Sequence, residues 1–386
     1  MIYLVTVWVF ISVYSISLAY LTLFLVGSFK STLIRVKLSK QLENISCILP
    51  IYREDSKIIK TCMDSIVRQK GIFINLFVVV KDLRSEQIEL IKSYSRKIGS
   101  VTIVVQKGKQ SEIEAYKLAL RRIHTEYVCM LNVDTVILKN NLSRLFAVVL
   151  AKKADVGFGL LYPQMFSRNN SFATIDKIFR QSILNKGRGE LGMGYYITGP
   201  FYIIRTRLLI KNLRESLAYD FDLSLKLYSN RDIAITYFPS RLATELEKAS
   251  FHSMIIQYSR WTLGHISLHE DYKRFFINAE TKIRVGVFGV IWFWYVMPLS
   301  LLVGLVLGVV FAQSYILLLG IVVFYYFVLT CILLALKEIR GYKKANLASF
   351  WLVNAILRVC GIIIVPYIYY IRNYKRKQAY RLYKRS

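Results

Sequence analysis

Residues 45–53 read Ile-Ser-Cys-Ile-Leu-Pro-Ile-Tyr-Arg, an apolar run that ends in a tyrosine and an arginine. Its first part, Ile45 to Leu49, is short, apolar and rich in β-branched residues, which is typical of a buried strand. Pro50 follows at once, and Tyr52 and Arg53 come just after it. The stretch therefore predicts a strand whose carboxyl end carries residues able to contact a ligand.

The same pattern repeats along the chain that follows. Three more segments are strand-like: Ile74 to Val80, Val101 to Val105 and Tyr127 to Leu131. Three stretches between them have helical periodicity and open with serine, a favoured N-cap: Ser56 to Arg68, Ser85 to Ile98 and Ser111 to Ile123. Alternating strands and helices predict an α/β fold with a mostly parallel, covered sheet, in which ligands bind outside the carboxyl ends of the strands.

The composition indicates a membrane protein. Of 386 residues, 55% are hydrophobic, which exceeds the usual share in a soluble domain. The run from Ile2 to Val26 is nearly uncharged and long enough to cross a bilayer. We interpret it as an uncleaved anchor rather than a signal peptide, because no basic residues precede it. Lys30, Arg35 and Lys37 follow it, so we expect the next domain in the cytosol, at the plasma membrane.

The formal net charge of +29 raises the question of nucleic-acid binding, but the placement of the charges favours lipid contact. Much of the excess lies near expected membrane ends and in the tail at 372–386, where tyrosines alternate with lysines and arginines. Such segments suit an interface with anionic headgroups, although aromatic-basic tails also bind RNA. We predict no nucleic-acid partner. The five cysteines have no metal or redox spacing and are typical of buried thiols.

Acidic and basic residues follow each predicted strand. They are Lys81 and Asp82 after the second, Gln106-Lys107-Gly108-Lys109 after the third, and Asn132-Val133-Asp134 after the fourth. One such Asp alone is most often a cap or turn residue. Together they converge on one sheet edge, where one Asp could hold a divalent cation against a diphosphate and another could bind a base or ribose.

Four later segments complete the pattern. Residues 186–194 are glycine-spaced and basic, which suits a mobile lid or a plain loop. Thr198-Gly199-Pro200 interrupts a strand-like run from Tyr195 to Ile204, which suggests a bulge or a close approach. Asp220 and Asp222 open a short amphipathic helix, where Asp222 is interpreted as a cap. Gln257-Tyr258-Ser259-Arg260-Trp261 combines an amide, a guanidinium and a ring that can hold phosphate and stack a sugar.

Taken in order, these motifs resemble the family 2 glycosyltransferases, and more narrowly the processive membrane synthases of cellulose, chitin and hyaluronan. Gln-x-x-Arg-Trp is the most specific of them. The resemblance covers residues 45–265 and the flanking apolar segments. It implies a GT-A fold, inserted between transmembrane helices, and inverting transfer from a UDP-sugar to a growing polysaccharide. A UDP-N-acetylglucosamine-type donor is the first expectation, because an aromatic residue follows Thr-Gly-Pro.

The resemblance also implies roles for single residues. Asp82 and Lys109 would contact the nucleotide, and Asp134 would hold Mg2+ or Mn2+. Asp220 would be the general base. The remaining implied substrate-binding residues are Thr198, Gly199, Pro200, Gln257, Arg260 and Trp261. Arg260 would lie over the diphosphate, and Trp261 would stack the acceptor sugar.

Two residues depart from the family pattern: Asn132 stands where the first Asp of the Asp-x-Asp pair is usual, and Tyr219 stands where an acid commonly precedes the base. His265 and His269 are four apart, but no third metal ligand is evident. Two alternatives to a polymerase stay open: a single-addition enzyme of the same fold acting on a lipid carrier, and a catalytically silent membrane partner, which the departures at Asn132 and Tyr219 favour.

The expected division of the chain follows from these segments: a transmembrane helix at 1–29, the catalytic domain at 30–262, an interface helix at 263–284, a transmembrane region at 285–371 and the basic tail at 372–386. Residues 348–371 contain Arg358 and Pro366, so a fourth span and a re-entrant segment both stay open.

Overall fold

The computed structural model describes residues 2–29, 43–106, 111–164, 171–194, 196–197, 199–216, 218–246, 251–292 and 296. Within these ranges the chain forms one eight-stranded sheet with helices on both faces. The predicted sites at Lys109 and Thr198, and the predicted membrane region beyond residue 296 with the basic tail, lie outside the described residues.

The strands follow the order β3-β2-β1-β4-β7-β6-β8-β5. Their bounds are β1 Glu43–Tyr52, β2 Ile72–Lys81, β3 Ser100–Val105, β4 Tyr127–Leu131, β5 Thr135–Ile137, β6 Val156–Pro163, β7 Phe201–Arg205 and β8 Ile235–Glu245.

The helices are α1 Ile2–Phe29, α2 Ser56–Val67, α3 Ser85–Ser93, α4 Glu112–Leu120, α5 Asn141–Ala151, α6 Ser171–Phe179, α7 Lys186–Glu190, α8 Thr206–Asn212, α9 Tyr219–Tyr228, α10 Phe251–Ser267, α11 His269–Asn278 and α12 Thr281–Ile291. A 3-10 turn, Tyr94–Arg96, follows α3, and a π-helical segment, Arg180–Asn185, joins α6 to α7.

The four strands expected from the sequence form one parallel half of the sheet. β3, β2, β1 and β4 run parallel, as predicted. The other half is mixed, because β7 is antiparallel to both β4 and β6 and β5 is antiparallel to β8. The expectation of a mostly parallel sheet therefore holds for the first half only. A sheet of four parallel and three antiparallel pairings is a mixed α/β sheet.

Both faces of the sheet are covered, which explains why β1 is apolar along its length. Cys47 and Leu49 belong to a core with α2 and α5, whereas Ile48 faces a second core with α4 and α9. Successive side chains of a strand point to opposite faces, so a strand between two helical layers must be apolar at every position. This burial on both faces fixes the strand ends where the candidate site residues lie.

Serine was predicted to be the N-cap of three helices, and it is the N-cap of one of them, α4. Ser111 does cap α4, since its hydroxyl accepts a hydrogen bond from the Glu114 amide. Helix α2 is capped instead by Asp55, whose carboxylate accepts from the Lys57 amide at 2.7 Å. Asp55 accepts from a first-turn amide as an N-cap does, so the helix was predicted but its cap was misplaced by one residue.

The glycine-spaced segment at 186–194 begins as a helix, whereas the sequence suggested a mobile lid or a plain loop. Residues 186–190 form α7, which crosses α1 closely: a Cβ on Gly187 would lie 2.0 Å from the Phe24 carbonyl oxygen. A Cβ on Gly27 would lie 2.6 Å from the Gly187 carbonyl oxygen. Small residues on both helices allow this approach of two backbones. Helix α12 also packs on α1, where the Trp292 indole donates to the Ser17 hydroxyl at 2.8 Å.

The predicted interface helix at 263–284 is divided in the structure. Helix α10 continues through Trp261 to Ser267, α11 follows Leu268, and α12 begins after Glu280. The boundary expected at residue 262 therefore falls inside a helix.

Asp222 is a buried ion-pair partner and not a helix cap, which corrects the sequence interpretation. Its side chain is 1% exposed and accepts hydrogen bonds from Arg214 at 2.5 and 2.8 Å and from Lys226 at 3.0 Å. Helix α9 begins one turn earlier, after Ala218. A buried carboxylate needs such partners, because burying it alone would be costly.

We expect Asp222→Asn to lower the free energy of unfolding by about 3 kcal/mol, because it leaves Arg214 and Lys226 without their shared partner. Thermal or denaturant unfolding of the full chain measures this. Asp232→Asn, at an exposed position, is the matched control and should stay within about 0.5 kcal/mol of the parent. Equal stability of the two variants would contradict a structural role for Asp222.

Candidate active site

Asp220 lies in the first turn of α9, at the predicted position of the general base. Its Oδ2 accepts a hydrogen bond from the Tyr196 hydroxyl at 2.6 Å, and its Oδ1 accepts one from the Phe221 amide at 2.9 Å. The positive end of the helix dipole favours an acid at this turn. Both carboxylate oxygens are therefore oriented before any substrate binds.

The surroundings raise the pKa of Asp220 above its ordinary value. Burial is the largest cause, and it outweighs the Tyr196 hydrogen bond and the charge of Arg260, both of which lower this pKa. A carboxylate whose pKa lies closer to the working pH accepts a proton more readily than an ordinary surface Asp. This is the property that a general base requires.

The Thr-Gly-Pro segment connects Asp220 to the predicted metal-binding turn. A Cβ on Gly199 would lie 2.5 Å from Asp220 Oδ2, so only glycine leaves room for the carboxylate. The Pro200 carbonyl accepts a hydrogen bond from the Asn132 amide at 3.0 Å. The close approach predicted here is thus a contact with the Asp220 carboxylate, and the interrupted strand begins only at Phe201.

The turn after β4 carries Asn132 and Asp134. The Thr135 amide donates to the Asn132 carbonyl at 3.1 Å, which closes the turn, and the Leu246 amide donates to the Asp134 carbonyl at 2.9 Å. Burial raises the pKa of the Cys62 thiol, and the negative charge of Asp134 raises it further. The Asp134 carboxylate therefore lies within electrostatic reach of Cys62 on α2.

The donor set of this turn fits a cation that binds together with a phosphate ligand. Within the described ranges, no three His, Cys, Asp or Glu side chains come together as a metal site. Asp134 offers one carboxylate, and Asn132 offers an amide oxygen two residues before it. Mg2+ commonly uses one or two carboxylates and completes its shell with substrate phosphates and water. Asp134 is thus suited to hold such a cation only in the presence of a diphosphate.

Asp82 and Arg53 meet at the ends of β2 and β1. Their exposed side chains form an ion pair at 3.1 Å, and both residues have positive φ, 52° and 58°. Positive φ is uncommon outside glycine and often marks a functional site. The ring of Tyr52 has the Arg53 guanidinium at 5.0 Å and the Lys81 ammonium at 5.3 Å from its centroid. An exposed ring with two cations and an acid is a suitable surface for a nucleotide.

Arg260 reaches the predicted base from α10. Its positive charge lowers the pKa of Asp220, so the two side chains lie within electrostatic reach. Gln257 lies half-buried on the same helix, and Tyr258 is buried. Asn132 thus contacts Pro200, Gly199 lies against Asp220, and Arg260 lies within electrostatic reach of Asp220.

Trp261 is held by a cluster that the sequence did not reveal. The Arg180 guanidinium lies 5.3 Å from the centroid of the Trp261 ring, and the Tyr258 ring meets Trp261 edge-on at 5.4 Å. Asp176 accepts hydrogen bonds from Tyr258 at 2.6 Å and from Arg180 at 2.7 Å. These contacts tie α10 to α6 and the π segment. The only sequence signal was the Asp-Arg pair four residues apart.

His265 is a packing residue. Its imidazole stacks on the Phe221 ring with centroids 4.0 Å apart, and burial lowers its pKa to about 3. No metal-ligand group includes it within the described part of the chain. This stacking joins α10 to α9.

Known proteins share both sequence and fold with this chain. The model of glycosyl transferase family group 2 matches residues 127–336, more than half of the 386 residues. The glycosyltransferase GlyG of Streptococcus pneumoniae serotype 4 is 22% identical over 176 residues, which cover 44% of this chain and 57% of that protein. The chain therefore spans less than two thirds of the length of this relative.

Two solved structures are similar to the chain. The mannosyltransferase PcManGT from Pyrobaculum calidifontis, in complex with GDP-Man and Mn2+, superposes with a TM-score of 0.60 at 11% identity. The match covers 92% of this chain and 99% of that one, and it indicates a shared fold. S. aureus TarS 1-349 in complex with UDP-GlcNAc is 17% identical, with 63% and 69% of the chains covered and a TM-score of 0.42, too low to argue from. The chain's mixed eight-stranded sheet is GT-A-like, and by the family match the chain belongs to glycosyl transferase family group 2.

Proposed function

We propose that the protein is a membrane-integrated, inverting and processive glycosyltransferase that extends a polysaccharide from a UDP-sugar and passes it across the plasma membrane. One observation carries the proposal: Arg260 of the Gln-x-x-Arg-Trp motif lies within electrostatic reach of Asp220. A cation for the leaving diphosphate and a base for the acceptor hydroxyl then flank a single reaction centre. The first donor to test is UDP-N-acetylglucosamine.

In the proposed reaction, Asp220 takes the proton of the acceptor hydroxyl while the hydroxyl oxygen attacks the anomeric carbon of the donor sugar. The new carbon–oxygen bond forms on the face opposite the phosphate, and the bond to the phosphate breaks. The nucleoside diphosphate leaves with the electron pair of that bond. Because the new bond forms on the opposite face, the configuration of the anomeric carbon is inverted. Arg260 neutralises part of the charge that develops on the leaving group.

Asp134 would hold the Mg2+ or Mn2+ ion, with the Asn132 amide beside it. Such an ion, when bound, supplies positive charge at the diphosphate. Asp82, Arg53 and Tyr52 would bind the nucleoside end, since they combine a hydrogen-bond acceptor with an exposed aromatic ring. From the sequence alone, we propose that Lys109 contacts the nucleotide and that Thr198 belongs to the substrate-binding residues.

Membrane integration is supported by α1. Among the described residues it is the one helix long and apolar enough to cross a bilayer. Leu21 and Phe24 are buried against the rest of the protein, but the opposite face exposes large apolar residues such as Trp8 at 65% and Phe29 at 74%. A helix that is apolar on its exposed face is stable in hydrocarbon rather than in water.

A single-addition enzyme acting on a lipid carrier is the second candidate. Arg180 covers one face of the Trp261 ring, so that face is not open to stack an acceptor sugar. A cation beside an aromatic ring also suits a phosphate-linked acceptor. The product decides between the two candidates.

The test uses the purified full chain in lipid nanodiscs with Mg2+ or Mn2+. A panel of UDP-N-acetylglucosamine, UDP-glucose and GDP-mannose is assayed for nucleoside diphosphate release and for product size. Long products support the polymerase, and a lipid-extractable monosaccharide as the only product supports the second candidate. We expect Trp261→Ala to shorten the product without weakening donor binding, and Arg260→Ala to reduce turnover at every step. Absence of release with all three donors would contradict the proposed donor class.

A further inference from the structure

A second carboxylate lies beside Asp220, on a helix that no motif marks. Glu112 is in the first turn of α4, and its side chain is exposed. Desolvation of the carboxylate by the surrounding protein, the largest cause, and the charge of Asp220 raise the pKa of Glu112, while the Tyr116 hydrogen bond and the charge of Arg260 lower it. The Tyr202 hydroxyl, on β7, has its pKa raised by burial and by both carboxylates. Glu112 therefore lies within electrostatic reach of Asp220 and Arg260.

Two tyrosines fix Glu112 in this position. The Tyr116 hydroxyl donates to Glu112 Oε1 at 2.5 Å and lies 3.0 Å from the Tyr219 hydroxyl. The two rings pack with centroids 5.4 Å apart. Tyr219 directly precedes Asp220, at the position where an acid is usual in this family. The structure thus connects an acid on α4, through two hydroxyls, to the residue that stands in the place of that acid.

The chemistry of this arrangement suits a sugar hydroxyl. A carboxylate repels a diphosphate, whereas it accepts strong hydrogen bonds from hydroxyl groups. Within the described part of the chain, Tyr116 is the one hydrogen-bond donor to Glu112, and it uses Oε1. A carboxylate has capacity for further donors at its second oxygen. Tyr116 on its own helix contacts it, Tyr219 on α9 contacts Tyr116, and Asp220 on α9, Tyr202 on β7 and Arg260 on α10 lie within electrostatic reach.

We propose that Glu112 is a substrate-binding residue that accepts a hydrogen bond from a sugar hydroxyl at the reaction centre, held in place by Tyr116 and Tyr219. The proposal rests on the proposed role of Asp220 as the base, because it takes Asp220 to mark the reaction centre. Glu112 would then select sugars that present a hydroxyl on the α4 side of the site.

The test compares Glu112→Gln with Glu114→Gln, a matched control on the same helix whose carboxylate pairs with Lys117 away from the site. The full chain in nanodiscs is assayed with whichever of UDP-N-acetylglucosamine, UDP-glucose and GDP-mannose it turns over fastest. We expect Glu112→Gln to lower kcat/KM by about 10- to 100-fold, the range for losing a hydrogen bond to a charged group. Affinity for the free nucleoside diphosphate, measured by calorimetry, should not change, and neither should the melting temperature.

Two further measurements separate substrate contact from a structural role. Donor analogues that each lack one hydroxyl should be turned over more slowly than the complete donor by the parent enzyme. For one of these analogues, the Glu112→Gln variant should turn over the analogue and the complete donor equally fast. Tyr116→Phe, which keeps the carboxylate but removes its anchor, should give a smaller loss. The inference is overturned when Glu112→Gln matches Glu114→Gln in kcat/KM, or when all analogue effects are additive with it. Asp220→Asn is assayed in parallel. If this variant stays active, the assignment of Asp220 as the base is refuted. If it loses activity while Glu112→Gln keeps full activity, only the proposed role of Glu112 is refuted.

Discussion

Asp220→Asn is expected to reduce the rate of sugar transfer by 10²- to 10⁴-fold, the usual range for losing a general base. The amide keeps the shape of the carboxylate and leaves room beside Gly199, but it cannot accept the proton of the acceptor hydroxyl. Binding of the nucleoside diphosphate should be retained. Initial rates of diphosphate release, with calorimetry on the same samples, measure both quantities.

Asp232→Asn is the control for this variant, since Asp232 is exposed and outside the site. The pH dependence gives an independent check. Because burial raises the pKa of Asp220, the carboxylate is protonated, and inactive as a base, over a wider acidic range than an ordinary Asp. The rate of the parent enzyme should therefore fall as the pH drops through an inflection above the ordinary Asp pKa. An unchanged rate in Asp220→Asn, or no acidic inflection in the parent, would contradict this assignment.

Gly199→Ala is expected to reduce kcat by about 100-fold with the fold retained. The added methyl group would lie 2.5 Å from Asp220 Oδ2 and 2.9 Å from its Cβ, so the base has to move. A displacement of about 1 Å at a reaction centre costs on the order of 100-fold in rate. Kinetics and thermal melting of the same preparation separate displacement of the base from loss of structure.

Gly194→Ala provides the matched control. A Cβ at Gly194 would meet its nearest neighbours at 3.6 Å, which is ordinary van der Waals contact. This variant should keep its activity within about twofold, since a change without clash or strain is small. If both variants were equally active, the close approach of Gly199 to the base would not constrain catalysis.

Sequence patterns predicted the half of the fold in which each element has its own local signal. Strands β1 to β4 are short apolar runs, and the site residues at their ends follow from the geometry of parallel sheets. Strand β6 lacked this signal because it contains Gly157 and Gly159. A Cβ at either glycine would clash, with Val149 on α5 and with Phe238 on β8 respectively. Glycine is required at these two positions by packing against segments that are distant in the chain. Local secondary-structure propensity does not include such contacts, so it did not predict the strand.

The same reason explains which site residues were missed. Asp220, Gly199 and Arg260 belong to motifs, whereas Tyr196, Glu112 and Arg180 gain their roles through contacts with distant segments. Helix α7 is a similar case, because glycines disfavour a helix by about 1 kcal/mol each. Packing against α1 outweighs that cost, so a segment that local propensity assigns to a loop is helical.

The π segment between α6 and α7 makes this part of the site sensitive to chain length. Arg180, at its start, contacts Trp261, and Gly187, just after its end, crosses Phe24. A π turn accommodates one residue more than an α turn. Each residue of an α-helix rotates the chain by about 100°. Deleting one residue between 180 and 187 would turn either the arginine or the glycine away from its partner, whereas replacing one apolar side chain there by another would preserve both orientations. The number of residues in this segment, more than their identity, therefore keeps the tryptophan contact and the helix crossing in phase.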